Sequence, residues 1–270
     1  MPEGSKTAPR VPVRAQQLLF FAGLLVLWWA LGALRIWPSY IFPTLQGVGH
    51  SIAHGFGTNA FGIAIGASMR RLAWGYGIAL AGGMTTGFLL ARVDWFKNTF
   101  GLLVLGLQTL PSICWLPLAI LWFGLSEKAI VFVVVMGAFL SIALATEDGI
   151  RNTPPVYIQA ARNLGAKGAR LYTSIVLPSA FPTIVTGMKL GWSFAWRSLM
   201  AGELLYAVPG LGYQLMMGRE LNDMPAVVSV IILIIAIGLV TDRVLFSLLE
   251  RAVRARWGLQ RQGRTSRGQA

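Results

Sequence analysis

Six mainly apolar stretches divide the chain, at roughly 17–37, 72–91, 99–123, 129–146, 183–205 and 226–249. As helices, each is long enough to cross about 30 Å of hydrocarbon, so the pattern predicts an all-α, polytopic membrane protein with six transmembrane helices. The first stretch follows Lys6, Arg10 and Arg14 and could be a signal peptide ending between Ala30 and Ala33. Its apolar run continues through Trp37, longer than a usual signal core, and it is read as a retained span. Residues 37–71 hold Pro38, Pro43 and many glycines, which predicts an external stretch with one or two amphipathic helical pieces. The third span contains Pro111 and Pro117, so it should kink and face protein, because the carbonyls that proline frees cannot be left against lipid. Gly62 with Gly66 and Gly83 with Gly87 have the small-residue spacing that lets helices pack closely.

Composition agrees. The chain is 55% hydrophobic and 12% charged, with a mean hydropathy of +0.63, against about 25% charged in soluble domains. A net charge of +13 would suit nucleic acid, but the cations lie between and beyond the apolar runs and not on one soluble module, so no nucleic-acid partner is expected. With a cytoplasmic N-terminus, the inside segments carry fifteen Lys and Arg and the outside segments five. The positive-inside rule therefore places both termini, and the segment 147–182, in the cytoplasm. The single cysteine, Cys114, lies in an apolar run and excludes a disulfide framework within the chain. His50 and His54 stand four apart, but HSIAH lacks the glutamate of a zinc-protease helix, and no metal site is assigned.

Ionisable groups inside a membrane are expensive and point to function. Lys189, Ser193 and Arg197 recur every four residues, hence on one face of the fifth span, and form a polar stripe expected to face a translocation pathway. Glu203 lies about 240° round that helix from Arg197 and cannot pair with it there. Asp242 and Arg243 read as interfacial anchors of the last span.

The segment NTPPVYIQAARNLGAKGARLYTSIVLPSA carries Arg162, Lys167 and Arg170 on its way between two spans. Thr153 can cap a helix whose first turn tolerates Pro154 and Pro155, and Gly165 can end it in a left-handed conformation. A second short helix would run from about Lys167 to Val176 and leave at Pro178 and Pro182. Such short helices need a surface to pack on. Anionic lipid headgroups or a cytosolic partner would both serve.

Gln159, Ala160 and Ala161, then Gly165, Ile175, Leu177 and Pro178 keep the spacing of the EAA motif and resemble that of bacterial ABC importer permeases. LPSICWLPLAILWFG, AWRSLMAGELL and PGLGYQL are similar to the nitrate, sulfonate and taurine branch, and the likeness runs from about Ser68 to Trp257. The resemblance implies a type I importer, MetI-like fold, with a leader (1–16), a first span and external segment (17–66), a permease domain (67–250) whose coupling helices lie at 153–178, and a basic tail (251–270). It also implies that Gln159, Ala160, Ala161, Gly165, Ile175, Leu177 and Pro178 couple to cytoplasmic ATPase subunits. A substrate-binding protein outside, a second permease copy and surrounding lipid complete the expected partners, in a bacterial inner membrane. The motif's usual first residue is Glu; Gln159 keeps hydrogen bonding and loses the charge. No G-x-x-x-x-G-K-[ST] loop occurs, so ATP and Mg belong to the ATPase and the chain itself holds no cofactor. The expected cargo is a small anion such as a sulfonate, taurine, nitrate or bicarbonate. An ion-coupled secondary transporter or channel is the alternative, but the matching interrupted helices it requires in the two halves are not evident. A membrane enzyme would need paired groups at depth, whereas Glu203 stands alone in the sequence.

Overall fold

A computed structural model describes residues 12–248 other than 35, 39 and 207. Most of the leader and the whole basic tail, 251–270, lie outside the described residues. Helix α1 (Val13–Ala33) is apolar all round beyond Gln17 and has no buried residue. It is tied back through Trp28, whose Nε1 donates to the Pro43 carbonyl at 3.0 Å. Helix α2 (Leu45–Gly57) is capped by Thr44, which accepts from Gly47 N, and its His50 and His54 rings stack 6.4 Å apart.

The centre is a three-helix stack. Helix α6 (Glu127–Arg151) runs between α3 (Ala60–Arg92) and α9 (Leu177–Leu205). Lipid offers no hydrophobic drive for helices to associate, so close backbone approach has to supply the contact. The buried positions of α3 recur every three or four residues through Ala64, Ser68, Leu72, Gly75, Ala79, Gly83 and Gly87. A Cβ on Gly83 would sit 2.8 Å from the Phe139 carbonyl, and one on Gly87 would strike the Ala143 carbonyl. Gly187 of α9 meets Ala145 from the other side. Gly83 and Gly87 thus pack a helix pair as their spacing predicted, whereas a Cβ on Gly66 would meet nothing.

The third span departs from expectation. It is no single kinked helix but two, α4 (Asp94–Gln108) and α5 (Leu116–Phe123), with a 3-10 turn at Ser112–Trp115 and a bend of 106°. Pro111 has no N–H to offer the preceding turn and pushes Leu110 out of the helical region, while Pro117 is harmless in the first turn of α5. Four described helical stretches are long and apolar enough to cross a membrane, at 13–33, 127–151, 168–205 and 224–244, and a fifth if the bent pair is one span. The remaining apolar run, 72–91, lies within α3, which is long but rich in glycine and carries Arg70 and Arg71. Arg70 and Arg71 therefore belong to the same helix as the run 72–91, not to a separate piece ahead of it.

Candidate functional site

The segment after α6 forms as its turn residues dictate, with two corrections. Helix α7 (Pro155–Asn163) starts at Pro154, without a side-chain cap, because the buried Thr153 turns its hydroxyl back to the Gly149 carbonyl at 3.4 Å. Its end is the expected one. Gly165 takes φ +83°, Ala166 N reaches the Ala161 carbonyl at 2.9 Å and Gly165 N the Arg162 carbonyl at 2.9 Å, the paired bonds of a Schellman turn. A second left-handed glycine, Gly168 at φ +55°, opens α8 (Gly168–Leu171). Beyond α8 comes the second correction. No short helix ends at the prolines: a π turn at Tyr172–Val176 leads straight into α9, giving one 38-residue helix from Gly168 to Leu205. The wider π turn stands just ahead of Pro178, which lies in the first turn of α9.

This element is anchored on one side and bare on the other. Tyr172 is held by Phe88, with ring centroids 6.1 Å apart, and by the Arg92 guanidinium 4.7 Å above its ring. Ala161 is 5% exposed and packs with Ile150, Leu171, Val176, Ala180 and Ile184, with Ile175 and Leu177 against that cluster. Pro178 is half-buried, and Gln159, Ala160 and Gly165 are exposed. Beside them Val156, Tyr157 and Leu164 are bare, Leu164 at 89%. Of the two alanines expected to couple, Ala160 is thus open to a partner, while Ala161 is turned into its own chain.

The polar stripe of α9 splits. Lys189 places its ammonium 3.1 Å from the Asp242 carboxylate, in a π turn (Asp242–Phe246) that prolongs α11 (Met224–Thr241). Ser193 turns its hydroxyl to the Lys189 carbonyl at 3.3 Å. Arg197 Nε donates to the Ser193 carbonyl at 3.2 Å, with the guanidinium 5.1 Å from the Phe194 ring centroid. Of the three, Arg197 alone lines a cavity of about 330 Å³ at the break between α4 and the 3-10 turn.

At the far end of α9 lies a cluster the sequence did not disclose. Glu203 is fully buried and accepts from Arg71 Nη1 at 2.8 Å, from Ser68 Oγ at 2.9 and 2.7 Å, and from Gly212 N at 3.0 Å. Arg71, 2% exposed, also donates to the Pro209 carbonyl at 2.7 Å and to Glu127 at 2.8 Å, and Leu211 N donates to Ser68 Oγ at 2.9 Å. The cluster joins α3, α6, α9 and the loop before α10 (Leu211–Glu220). Glu203 does not stand alone, and the available signal was Ser68 and Arg71 three residues apart on the face that continues through Leu72 and Gly75.

Known proteins resemble this chain in sequence and in fold. The family model for the binding-protein-dependent transport system inner membrane component matches residues 83–255. A protein of Methanocaldococcus jannaschii named as a putative ABC transporter permease is 34% identical over 82% of this chain and 84% of its own length. The taurine transport system permease protein TauC of Escherichia coli is 27% identical over 81% and 83%. Among solved structures, a chain of the inward-facing MetNI methionine ABC transporter is similar at 20% identity with a TM-score of 0.56, covering 72% of this chain and 96% of that one.

Proposed function

The chain belongs to the family of binding-protein-dependent transport system inner membrane components, and from that premise we propose how its parts share the work of import. It is the transmembrane permease subunit of an ABC importer. A separate cytoplasmic ATPase, holding ATP and Mg, docks on the segment 153–178 and drives it. Gln159, Ala160 and the bare Val156, Tyr157 and Leu164 make the contact surface, and Gly165 sets the angle between the two legs. Ile175, Leu177 and Pro178 pass the movement on, while Ala161 braces the element from inside.

The observation that carries this reading is the continuity of the helix from Gly168 to Leu205. At 1.5 Å per residue it reaches about 57 Å, from the exposed knob past Arg197 to Glu203. A displacement of the Gly168 end, which the Gly165 turn joins to α7, therefore reaches both along one helix. Both termini and the knob face the cytoplasm of a bacterial cell, and a substrate-binding protein docks at the opposite end, where α2 and α10 lie. A second copy of the chain completes the pathway, with lipid around the pair.

The likeness to a taurine permease supports a small sulfonate or related anion, such as nitrate or bicarbonate, as cargo. Arg197 serves the pathway. Lys189 and Ser193 stay on the same helix face but outside the Arg197 cavity, with Lys189 ion-paired to Asp242.

The test is a cysteine in place of Ala160 in a chain whose own Cys114 is replaced by Ala. Bifunctional crosslinking in membranes should capture the ATP-binding subunit, and the purified permease alone should bind no ATP. Labelling of lipid with no captured subunit would refute the docking assignment.

A further inference from the structure

The cavity at the broken third helix has one charged wall. Arg197 is the only ionisable side chain lining it among the described residues, and Gln108, Thr109, Ser112 and Ser141 supply the other polar groups. Two of these are already engaged. Thr109 donates to the Gly106 carbonyl at 2.7 Å, and Gln108 Nε2 donates to Ser141 Oγ at 3.1 Å.

The second bond decides what Ser141 can do. It fills an acceptor position on the hydroxyl oxygen, which leaves the hydroxyl proton to donate. Other serines of these helices spend that proton on the carbonyl one turn back, as Ser193 does at 3.3 Å and Ser198 at 2.8 Å. Ser141 has no such acceptor among the described residues, and neither has Ser112 at the start of the 3-10 turn. Arg197 is fixed through Nε, and its two terminal nitrogens have no acceptor among the described residues. Three donors from α9, α6 and the 3-10 turn thus border one small space with no carboxylate on its wall.

We propose that this cavity is a transit site for a small anion bearing three oxygens, a sulfonate head above all, with Arg197, Ser112 and Ser141 as ligands and Gln108 as the positioning residue for Ser141. The assignment rests on the importer reading above. Arg197 is exposed, so water weakens its long-range pull on an anion, but its hydrogen bonds to a charged oxygen are stronger than neutral ones. Three donors on three sides suit a three-oxygen head better than the two oxygens of a carboxylate. Binding stays shallow, as transit requires, because the site supplies one charge and no enclosing cage.

The experiment uses the assembled permease–ATPase complex in detergent, with Cys114→Ala and a reporter Met136→Cys on the cavity wall. The rate of N-ethylmaleimide labelling is followed with ethanesulfonate or propionate added. Ethanesulfonate should slow labelling severalfold and propionate should not. Ser141→Ala should raise the ethanesulfonate concentration needed by about tenfold, and Arg197→Gln should remove the protection. Equal slowing by both anions, protection that survives Arg197→Gln, or no protection at all would each overturn the assignment. Co-purification of the ATP-binding subunit, scored on the same samples, separates failure of the site from failure of the importer reading.

Discussion

Glu203→Ala should leave little folded chain in the membrane. The change strands the Arg71 guanidinium, 2% exposed, without the carboxylate 2.8 Å away, and removes the acceptor used by Ser68 and Gly212 N. Here Arg71 keeps only the half-exposed Glu127 carboxylate, 2.8 Å away, as a counter-charge, and breaking one side of a buried ion pair costs about 3–5 kcal/mol. That is a large part of the roughly 5–15 kcal/mol that holds a typical protein folded. Glu203→Gln should lose less, since an amide still accepts from Ser68. The double change Arg71→Met with Glu203→Met should recover most of the loss, because no charge is left unpaired. The measurement is the midpoint of thermal unfolding in detergent beside the yield of inserted protein. A Glu203→Ala midpoint within a degree or two of the parent would contradict the geometry.

The second large effect falls on transport and should leave folding intact. Gly165→Val should lower uptake into proteoliposomes by about tenfold or more, with normal insertion and with ATP hydrolysis no longer stimulated by loaded binding protein. A Cβ at Gly165 would meet nothing within 4 Å, so crowding is not the reason. The reason is φ +83°, a left-handed conformation that costs an ordinary residue about 1–2 kcal/mol and a β-branched one more. The bend between α7 and α8 would relax and carry the exposed face of α7 out of register with its partner. Gly165→Asn is the control, because asparagine tolerates that conformation, and it should keep most of the activity. Equal uptake from the valine variant and the parent would remove Gly165 from coupling.

Much of this was legible in the sequence, and what was not has identifiable causes. Gly165 declared itself because a glycine after a short polar helix leaves few alternatives to a left-handed turn. The apolar runs located the core helices because lipid imposes a length on them. The break at Pro111 was seen but its size was not, since a kink and a reversal of direction start from the same missing N–H. The prolines at 178 and 182 read as a helix end because local rules penalise them there. The π turn at Tyr172–Val176, which local rules do not foresee, stands where that end was expected. Ala161 and Ala160 are indistinguishable in composition, and only the packing of Leu171 and Val176 decides which turns inward. Arg71 was hidden for a different reason. A cation beside an apolar run reads as its boundary, and the carboxylate that draws it inside comes 132 residues later.

The glycine-lined faces of α3 and α9 against α6 bear on how the subunit moves. Side chains that interlock must change rotamer before two helices can slide, and each change is a barrier. Gly83, Gly87 and Gly187 present bare backbone to α6, so at these positions only α6 contributes a side chain, Ile142, Thr146 or Ala145. Displacement along these seams would be a shear that has to disengage the side chains of one helix only at those positions. By contrast, the far end of the stack is locked by ionic and hydrogen bonds with defined directions. A helix driven from its glycine-lined end against a fastened one would tilt about the fastening, and the greatest travel would fall at the end the ATPase would hold.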